Sequence, residues 1–458
     1  MQGITLKQIL NCCQGQYFGK QEDLNKEVTG VVTDSRKIQP GNLFVPIKGE
    51  KTDGHNYIPQ VMEAGALVSL TEQPLEKGVG NHILVSSALS AMQRIAAFYR
   101  NFLDVKVVGI TGSVGKTSTK EMVASVLKEH YRVHKTAGNF NNHIGLPLTI
   151  FGLEKEHEVG VLEMGISDFG EMHTLASMAN PDICVITNIG LCHLENLKTR
   201  DGILKAKTEC FEHMKIDGTV ILNGLDDKLC TIGEVKGKAP IFYGRQGDKA
   251  YATDISDLGL LGIRMNLHLY GETRQVTIPI PGEHNIYNAL AAACVGHILG
   301  MDMEEICRGI ESVETIGGRS NLIQVKGMTI IDDCYNANPV SMKASIDVLA
   351  KASGRKIAVL GDMGELGRDE RELHAQVGNY LAEKNIDFLF CAGELSREIA
   401  QTAKQNPRCA VQYFSAKEEL IPALKREIKE GDTILVKASH FMEYPKIVEA
   451  LKAAQPKE

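Results

Sequence analysis

One stretch constrains this chain more than any other: VKVVGITGSVGKTSTKEMVASV, Val105 to Val126, in which a hydrophobic run enters a glycine-containing turn and leaves as a helix. Val105, Val107, Val108 and Ile110 form the β-branched run of a buried parallel strand, and beyond Lys116 the apolar Met122, Val123, Val126 and Leu127 recur at helical spacing. The turn between them reads as a phosphate cradle. Across Gly112, Ser113, Val114, Gly115, Lys116, Thr117 and Ser118 the backbone N–H groups converge on an anion at the positive end of the helix. Lys116 is then placed to clamp β- and γ-phosphates and Thr117 to hold Mg2+. Ile110 stands where the general form of such loops has a small residue, so the match is the narrower Gly112-x-x-Gly115-Lys116-Thr117.

A chain of 458 residues exceeds one core and predicts about three domains, here 1–100, 101–315 and 316–458. The expected class is α/β throughout: a small mixed first domain, a central phosphate-loop domain on a parallel sheet, and a doubly wound, Rossmann-like last domain. With 57 acidic against 50 basic residues the net charge is -7, which argues against nucleic acid as a bulk partner. The eleven cysteines include no C-x-x-C repeat and read as reduced, mostly buried thiols. No long apolar run or basic leader stands out, so the expectation is a cytoplasmic protein with no stable membrane anchor.

In the first domain, short apolar runs at 30–33, 42–47, 66–70 and 82–85 alternate with turns. Ser35, Arg36, Lys48 and His55 lie in the turns between them and suit a phosphorylated ligand, or else a solvated loop. In the central domain the strands at 159–163 and 183–187 end in polar residues. Glu163 and Asn188 should therefore face the phosphates, with Glu163 beside the Mg2+ held by Thr117. The loop TAGNFNNHIGLP carries Asn141 and Asn142, neutral groups suited to positioning a polar substrate.

Lys207 lies on a helical apolar stripe of Ile203, Leu204, Phe211 and Met214. Either it snorkels to solvent, or burial lowers its pKa and leaves an amine able to take up CO2 as a carbamate, a metal ligand to which His193 adds a nitrogen. Residues 259–280 read as a β-hairpin; Asn285 and Asn288 follow, either reading an adenine edge or capping the next helix. Gly317-Gly318-Arg319 reads as a hinge from which Arg319 reaches the triphosphate. Strand-end clusters at 332–336, 361–365 and 437–440 predict a pocket facing the central domain.

These motifs together resemble the Mur ligase family of peptidoglycan synthesis over nearly the whole chain. They include TGSVGKTSTKE, GNFNNHIGLPLT, TNIGLCHLE, AKTE, PGEHNIYNALAA, DDCYNANPVSM and GDMGELG. GNFNNHIGLPLT and DDCYNANP are similar to the branch that adds D-alanyl-D-alanine to UDP-N-acetylmuramoyl-tripeptide. The resemblance implies ATP as co-substrate, two Mg2+ ions, carbamylated Lys207, an acyl-phosphate intermediate and a monomer. It places the UDP end near Ser35 and Arg36, Asp333 on the ribose, Asn285 and Asn288 near adenine, and Arg319 at the γ-phosphate. Asn141, Asn142, Tyr335, Asn336, Asn338, Lys437 and Ser439 then fall to the peptide substrates. The chain departs from the family pattern at His143, Cys334 and His440, where an acidic residue, serine and arginine are usual. It lacks the DNPR-type acceptor motif of the diaminopimelate-adding relatives, and it has no DxxG or NKxD guanine signature of a nucleotide switch.

Overall fold

The computed structural model describes residues 1–49, 52–315 and 317–457; residue 316, where the sequence puts the start of the last domain, lies outside them. Three sheets organise the chain. The first has five strands in the spatial order Gln16–Phe18, His82–Leu84, Val68–Thr71, Asn42–Phe44, Gly30–Val32, all parallel except the outer pair formed by Gln16–Phe18 and His82–Leu84. Each strand is only three or four residues long. The helix Ala88–Phe102 leads out of it and is fastened to the central domain by Arg100. Arg100 is buried, donates to the Ala179 carbonyl at 3.0 Å and pairs with Asp182 at 3.2 Å.

The central sheet has nine strands, and the phosphate-loop strand Lys106–Thr111 lies between Ile183–Ile186 on one side and Val159–Glu163 on the other. All three are parallel and, apart from Lys106 at the start of the first, buried throughout, which is why they read as continuous apolar runs rather than as an alternation. Ile110 is in register with Glu163, so the carboxylate emerges at the same sheet edge as the loop that follows Thr111. Beyond Ile183–Ile186 the sheet continues through Thr219–Asn223, Ile241–Tyr243 and Ala250–Asp257, then through the antiparallel hairpin Ile263–Leu269 and Glu272–Ile278. The hairpin is thus an extension of the central sheet. The helix Lys116–Lys128 packs against His284–Ile298 and Met303–Glu311. A Cβ on Gly309 would stand 2.3 Å from the Val126 Cα, so this approach of helix to helix requires glycine.

The last sheet has six strands in the order Asn321–Val325, Met328–Asp332, Thr433–Lys437, Lys356–Gly361, Phe388–Ala392, Ala410–Phe414; all are parallel except the first. Helices occupy both faces, over two separate apolar clusters. Met328–Asp332, Thr433–Lys437 and Lys356–Gly361 are neighbours, which brings the three strand-end clusters to one edge. No helix among the described residues is long and apolar enough to cross a membrane.

Candidate active site

A cleft of about 500 Å3 lies between the central and last domains. One wall is the phosphate loop, Ser113 to Ser118, with Asn141, Asn142, Glu163, His193 and Asn288; the other carries Arg319, Asp333, Tyr335, Asn336, Asn338 and Lys437. The loop is held open by its surroundings. The Asn188 side chain accepts from Val114 N at 3.0 Å and donates to the Val114 carbonyl at 2.9 Å, and Thr187 Oγ1 donates to that carbonyl at 2.6 Å. Asn188 therefore buttresses the loop. Gly112 has φ +151°, and a Cβ there would fall 1.9 Å from Thr187 Oγ1. Lys116 Nζ donates to the Gly112 carbonyl at 3.0 Å, so the ammonium already points into the loop.

Glu163 is buried, and its two oxygens differ. Oε1 accepts from Asn141 Nδ2 at 2.7 Å, whereas Oε2 has no hydrogen-bond partner among the described residues. A buried carboxylate oxygen without a donor is costly unless a cation satisfies it. Beside it lies Lys120, a residue that the sequence reading passed over. It is buried, donates to the Thr136 carbonyl at 2.7 Å, and lies 3.1 Å from Glu121 Oε1 and 3.9 Å from Glu163 Oε2. Its spacing, one helical turn after Lys116, was the available signal.

Lys207 does not snorkel: it is 1% exposed. Its helix is also shorter than the stripe implied, for Arg200–Thr208 breaks at Glu209 before Cys210–His213. Burial, and next the charge of Lys116, bring its pKa from 10.5 down to about 8. Among the described residues no carboxylate pairs with it. His193, at φ +51°, has its Nδ1 2.6 Å from Glu365 Oε2 of the last domain, a hydrogen-bonded contact across the cleft that no local pattern signals.

Several expected contacts are otherwise engaged. Lys437 was expected to meet the peptide substrate, but its three protons go to Asp333 Oδ2 at 2.6 Å, the Asn336 carbonyl at 3.1 Å and the Asp333 carbonyl at 3.3 Å. Asp333 is equally occupied, accepting from Ser320 N at 3.0 Å and Ser345 Oγ at 2.5 Å as well. In this arrangement the pair braces the cleft wall, because a buried ion pair is retained only when its lone pairs and protons are all matched. Ser439 is likewise structural, accepting from Gly364 N at 2.9 Å. Asn338 caps the helix Pro339–Ala350.

Asn285 and Asn288 are buried and bound first to the fold. Asn288 donates to Asn285 Oδ1 at 2.9 Å and accepts from Thr119 Oγ1 at 2.8 Å, while Asn285 donates to the Pro281 carbonyl at 2.9 Å. Asn285 opens on a smaller recess shared with Ser118, His284 and Arg319. The Arg319 guanidinium stacks on Tyr335, 4.2 Å from the ring centroid. His440, where an arginine fork was expected, tilts against the same ring at 5.7 Å between centroids.

Ser35, Arg36, Lys48 and His55 do not line the cleft. Arg36 is held by both oxygens of Asp34, at 2.9 and 2.8 Å, and His55 by Asp53 at 2.7 Å. An arriving phosphate there competes with two carboxylates already in place.

Comparison with known proteins accords with this geometry. Family models describe residues 27–106 as "Mur ligase family, catalytic domain", 110–296 as "Mur ligase middle domain" and 318–440 as "Mur ligase, glutamate ligase domain". The chain is 39% identical over 453 residues, 98% of each chain, to the UDP-N-acetylmuramoyl-tripeptide--D-alanyl-D-alanine ligase of Bacillus subtilis (strain 168). It is 33% identical to the enzyme of that name from Escherichia coli (strain K12), with 99% of both chains covered. Its fold is similar to a crystal structure of MurF from Acinetobacter baumannii, at TM-score 0.90 and 32% identity over 99% of both chains. The MurF ligase of Thermotoga maritima in complex with ADP matches at TM-score 0.83 and 29% identity, over 93% of this chain and 97% of that one.

Proposed function

The chain belongs to the Mur ligase family, and on that premise we propose that it joins D-alanyl-D-alanine to UDP-N-acetylmuramoyl-tripeptide at the expense of ATP. The product is the UDP-N-acetylmuramoyl-pentapeptide of peptidoglycan synthesis. One observation carries the reading: the cleft sets the phosphate loop against the strand-end cluster from Asp333 to Asn338, so nucleotide and acceptor meet across it.

In the first step a terminal carboxylate oxygen of the tripeptide attacks the γ-phosphorus and ADP leaves, giving an acyl phosphate. The dipeptide amine then attacks the acyl carbon; the tetrahedral species loses a proton from nitrogen and expels phosphate, forming the amide. Backbone N–H groups of the phosphate loop hold the β-phosphate, and Lys116 turns from the Gly112 carbonyl to the β- and γ-oxygens. Arg319, freed from Tyr335, adds positive charge at the γ-phosphate. Asn141 and Asn142 orient the carboxylate beside Glu163.

The unpartnered Oε2 of Glu163 fits a cation, so Thr117 and Glu163 would hold one Mg2+. A buried lysine with a lowered pKa and no counter-ion among the described residues fits carbamylation. Carbamylated Lys207 with His193 would hold a second Mg2+, His193 exchanging Glu365 for it. When bound, these ions neutralise charge on the transferring phosphoryl oxygens. Asn285 and Asn288 border the adenine end, Asp333 the ribose, and Tyr335, Asn336 and Asn338 the dipeptide, with Lys437 and Ser439 supporting them. Ser35, Arg36, Lys48 and His55 meet the UDP end in the first domain. A cytoplasmic monomer belongs to the same reading.

The test is phosphate release from ATP and Mg2+ with UDP-N-acetylmuramoyl-tripeptide, comparing D-alanyl-D-alanine with single amino acids. Release that needs both the tripeptide and the dipeptide, with a UDP-pentapeptide formed, is the expected result. Turnover with a single amino acid moves the chain to another branch of the family; release without any acceptor overturns ligation.

A further inference from the structure

Away from the cleft, on the outer face of the central domain, the helices Glu171–Ala179 and Cys210–His213 bring together two imidazoles and a carboxylate with no part in the chemistry above. We propose that His173, Glu212 and His213 form a binding site for one borderline divalent transition ion of the zinc class, distinct from the Mg2+ sites of the ligase.

The spacing is that of ligands around one centre. His173 Nδ1 lies 2.8 Å from Glu212 Oε2 and 3.1 Å from His213 Nε2, and all three ligand atoms lie within 4.8 Å of one another. Zinc bonds of about 2.0–2.1 Å at tetrahedral angles put ligand atoms roughly 3.3 Å apart, near the two shorter separations in this cluster. The two rings meet at 78°, edge toward face, with His213 Nε2 3.1 Å from Nδ1 and 3.3 Å from Nε2 of His173, so the exposed His173 ring turns a nitrogen toward the ion on binding.

Both ligand-bearing turns are fixed in advance. The Glu209 carboxylate accepts from Gly170 N and His173 N, each within 3.2 Å, and Lys236 Nζ donates to the carbonyls of Glu212 and Met214. Two imidazole nitrogens and one oxygen select Zn2+, Co2+, Ni2+ or Cu2+ over Mg2+, which prefers an all-oxygen octahedron. An ion there would tie the helix whose first residue, Glu171, lines the cleft to the segment that follows Lys207.

The experiment uses the full chain without a histidine tag, saturated with Mg2+ and a non-hydrolysable ATP analogue so that the cleft's own ligands are occupied. Zn2+ is titrated by calorimetry and Co2+ by its visible absorption. The expected result is one equivalent of Zn2+, a nitrogen-ligated Co2+ spectrum, and affinity reduced about tenfold or more in His173→Ala and in His213→Ala. Zn2+ should also raise the unfolding temperature of the wild type and not that of the variants. If His213→Ala fails to fold, His173→Gln, at the more exposed ring, supplies the same comparison. No stoichiometric Zn2+ in the wild type, or an equivalent that survives both substitutions, overturns the site.

Discussion

Asn141 donates to one oxygen of Glu163 at 2.7 Å and leaves the other buried with no hydrogen-bond donor among the described residues, on the wall of the cleft that carries the phosphate loop. Glu163→Gln keeps the shape and the Asn141 contact but removes the charge. Ligation should fall about 1,000-fold with the unfolding temperature unchanged or higher. Asn141→Ala should cost only about 10- to 100-fold and raise the Mg2+ concentration giving half-maximal rate, because it acts on orientation. Steady-state rates across a Mg2+ titration distinguish the two; an unchanged Mg2+ requirement in Asn141→Ala would count against the positioning role.

Lys207→Ala should lower ligation by about 100-fold or more, with partial recovery on adding formate or acetate to stand in for the carbamate. Pentapeptide formation with and without the added carboxylate measures this. Normal activity in the unrescued variant removes Lys207 from the metal site.

Gly112→Ala places a methyl group 1.9 Å from Thr187 Oγ1 at a backbone φ of +151°. The loop must shift or Thr187 must release the Val114 carbonyl, and either change spoils the anion cradle. Stability should drop by about 1–3 kcal/mol and ADP binding should be lost. Calorimetric ADP titration beside thermal unfolding reports both.

Asp182 collects Arg100, Lys106, Lys215 and the N–H of Val107 at one buried carboxylate. Asp182→Ala leaves the Arg100 guanidinium buried without its counter-ion and should destabilise the protein by about 3–5 kcal/mol. Urea unfolding measures the loss, and limited proteolysis should find its first new cuts around Ala88–Phe102, the helix that Arg100 secures.

His374 is held neutral: its Nε2 accepts from Met363 N at 2.9 Å, its Nδ1 donates to the Glu370 carbonyl, and burial lowers its pKa below the usual 6.5. The unfolded chain takes up this proton near pH 6.5 while the folded one resists it until lower pH. Over that window the unfolded state binds more protons, so stability must fall as pH falls below 6.5. In His374→Gln the fall between pH 6.5 and 5 should be shallower than in the wild type, which unfolding temperature against pH will show.

Much of the site was legible in the sequence because it is local. The phosphate loop from Gly112 to Ser118 is built by a strand, a turn and a helix that follow one another, and each carries its own pattern. Strand-end polar residues such as Glu163 and Asp333 were legible for a similar reason, since a parallel sheet delivers its strand ends to one edge. The exposed strand Ala410–Phe414 and the helix Lys417–Glu427, with Pro422 inside it, were not, because neither bears a clean period.

Residue type and order by themselves determined that the chain has a nucleotide-binding centre, where its ligand-facing groups begin, and that Lys207 lies on an apolar stripe. Only the tertiary structure decided which of those groups are free. It spent Lys437 on Asp333, turned His193 toward Glu365, and buried Lys207 with no carboxylate among the described residues to meet it. Those outcomes depend on partners as far as 172 residues away along the chain, His193 to Glu365. Periodicity reports only which side of an element is apolar, whereas ionisation and availability follow from what packs against it.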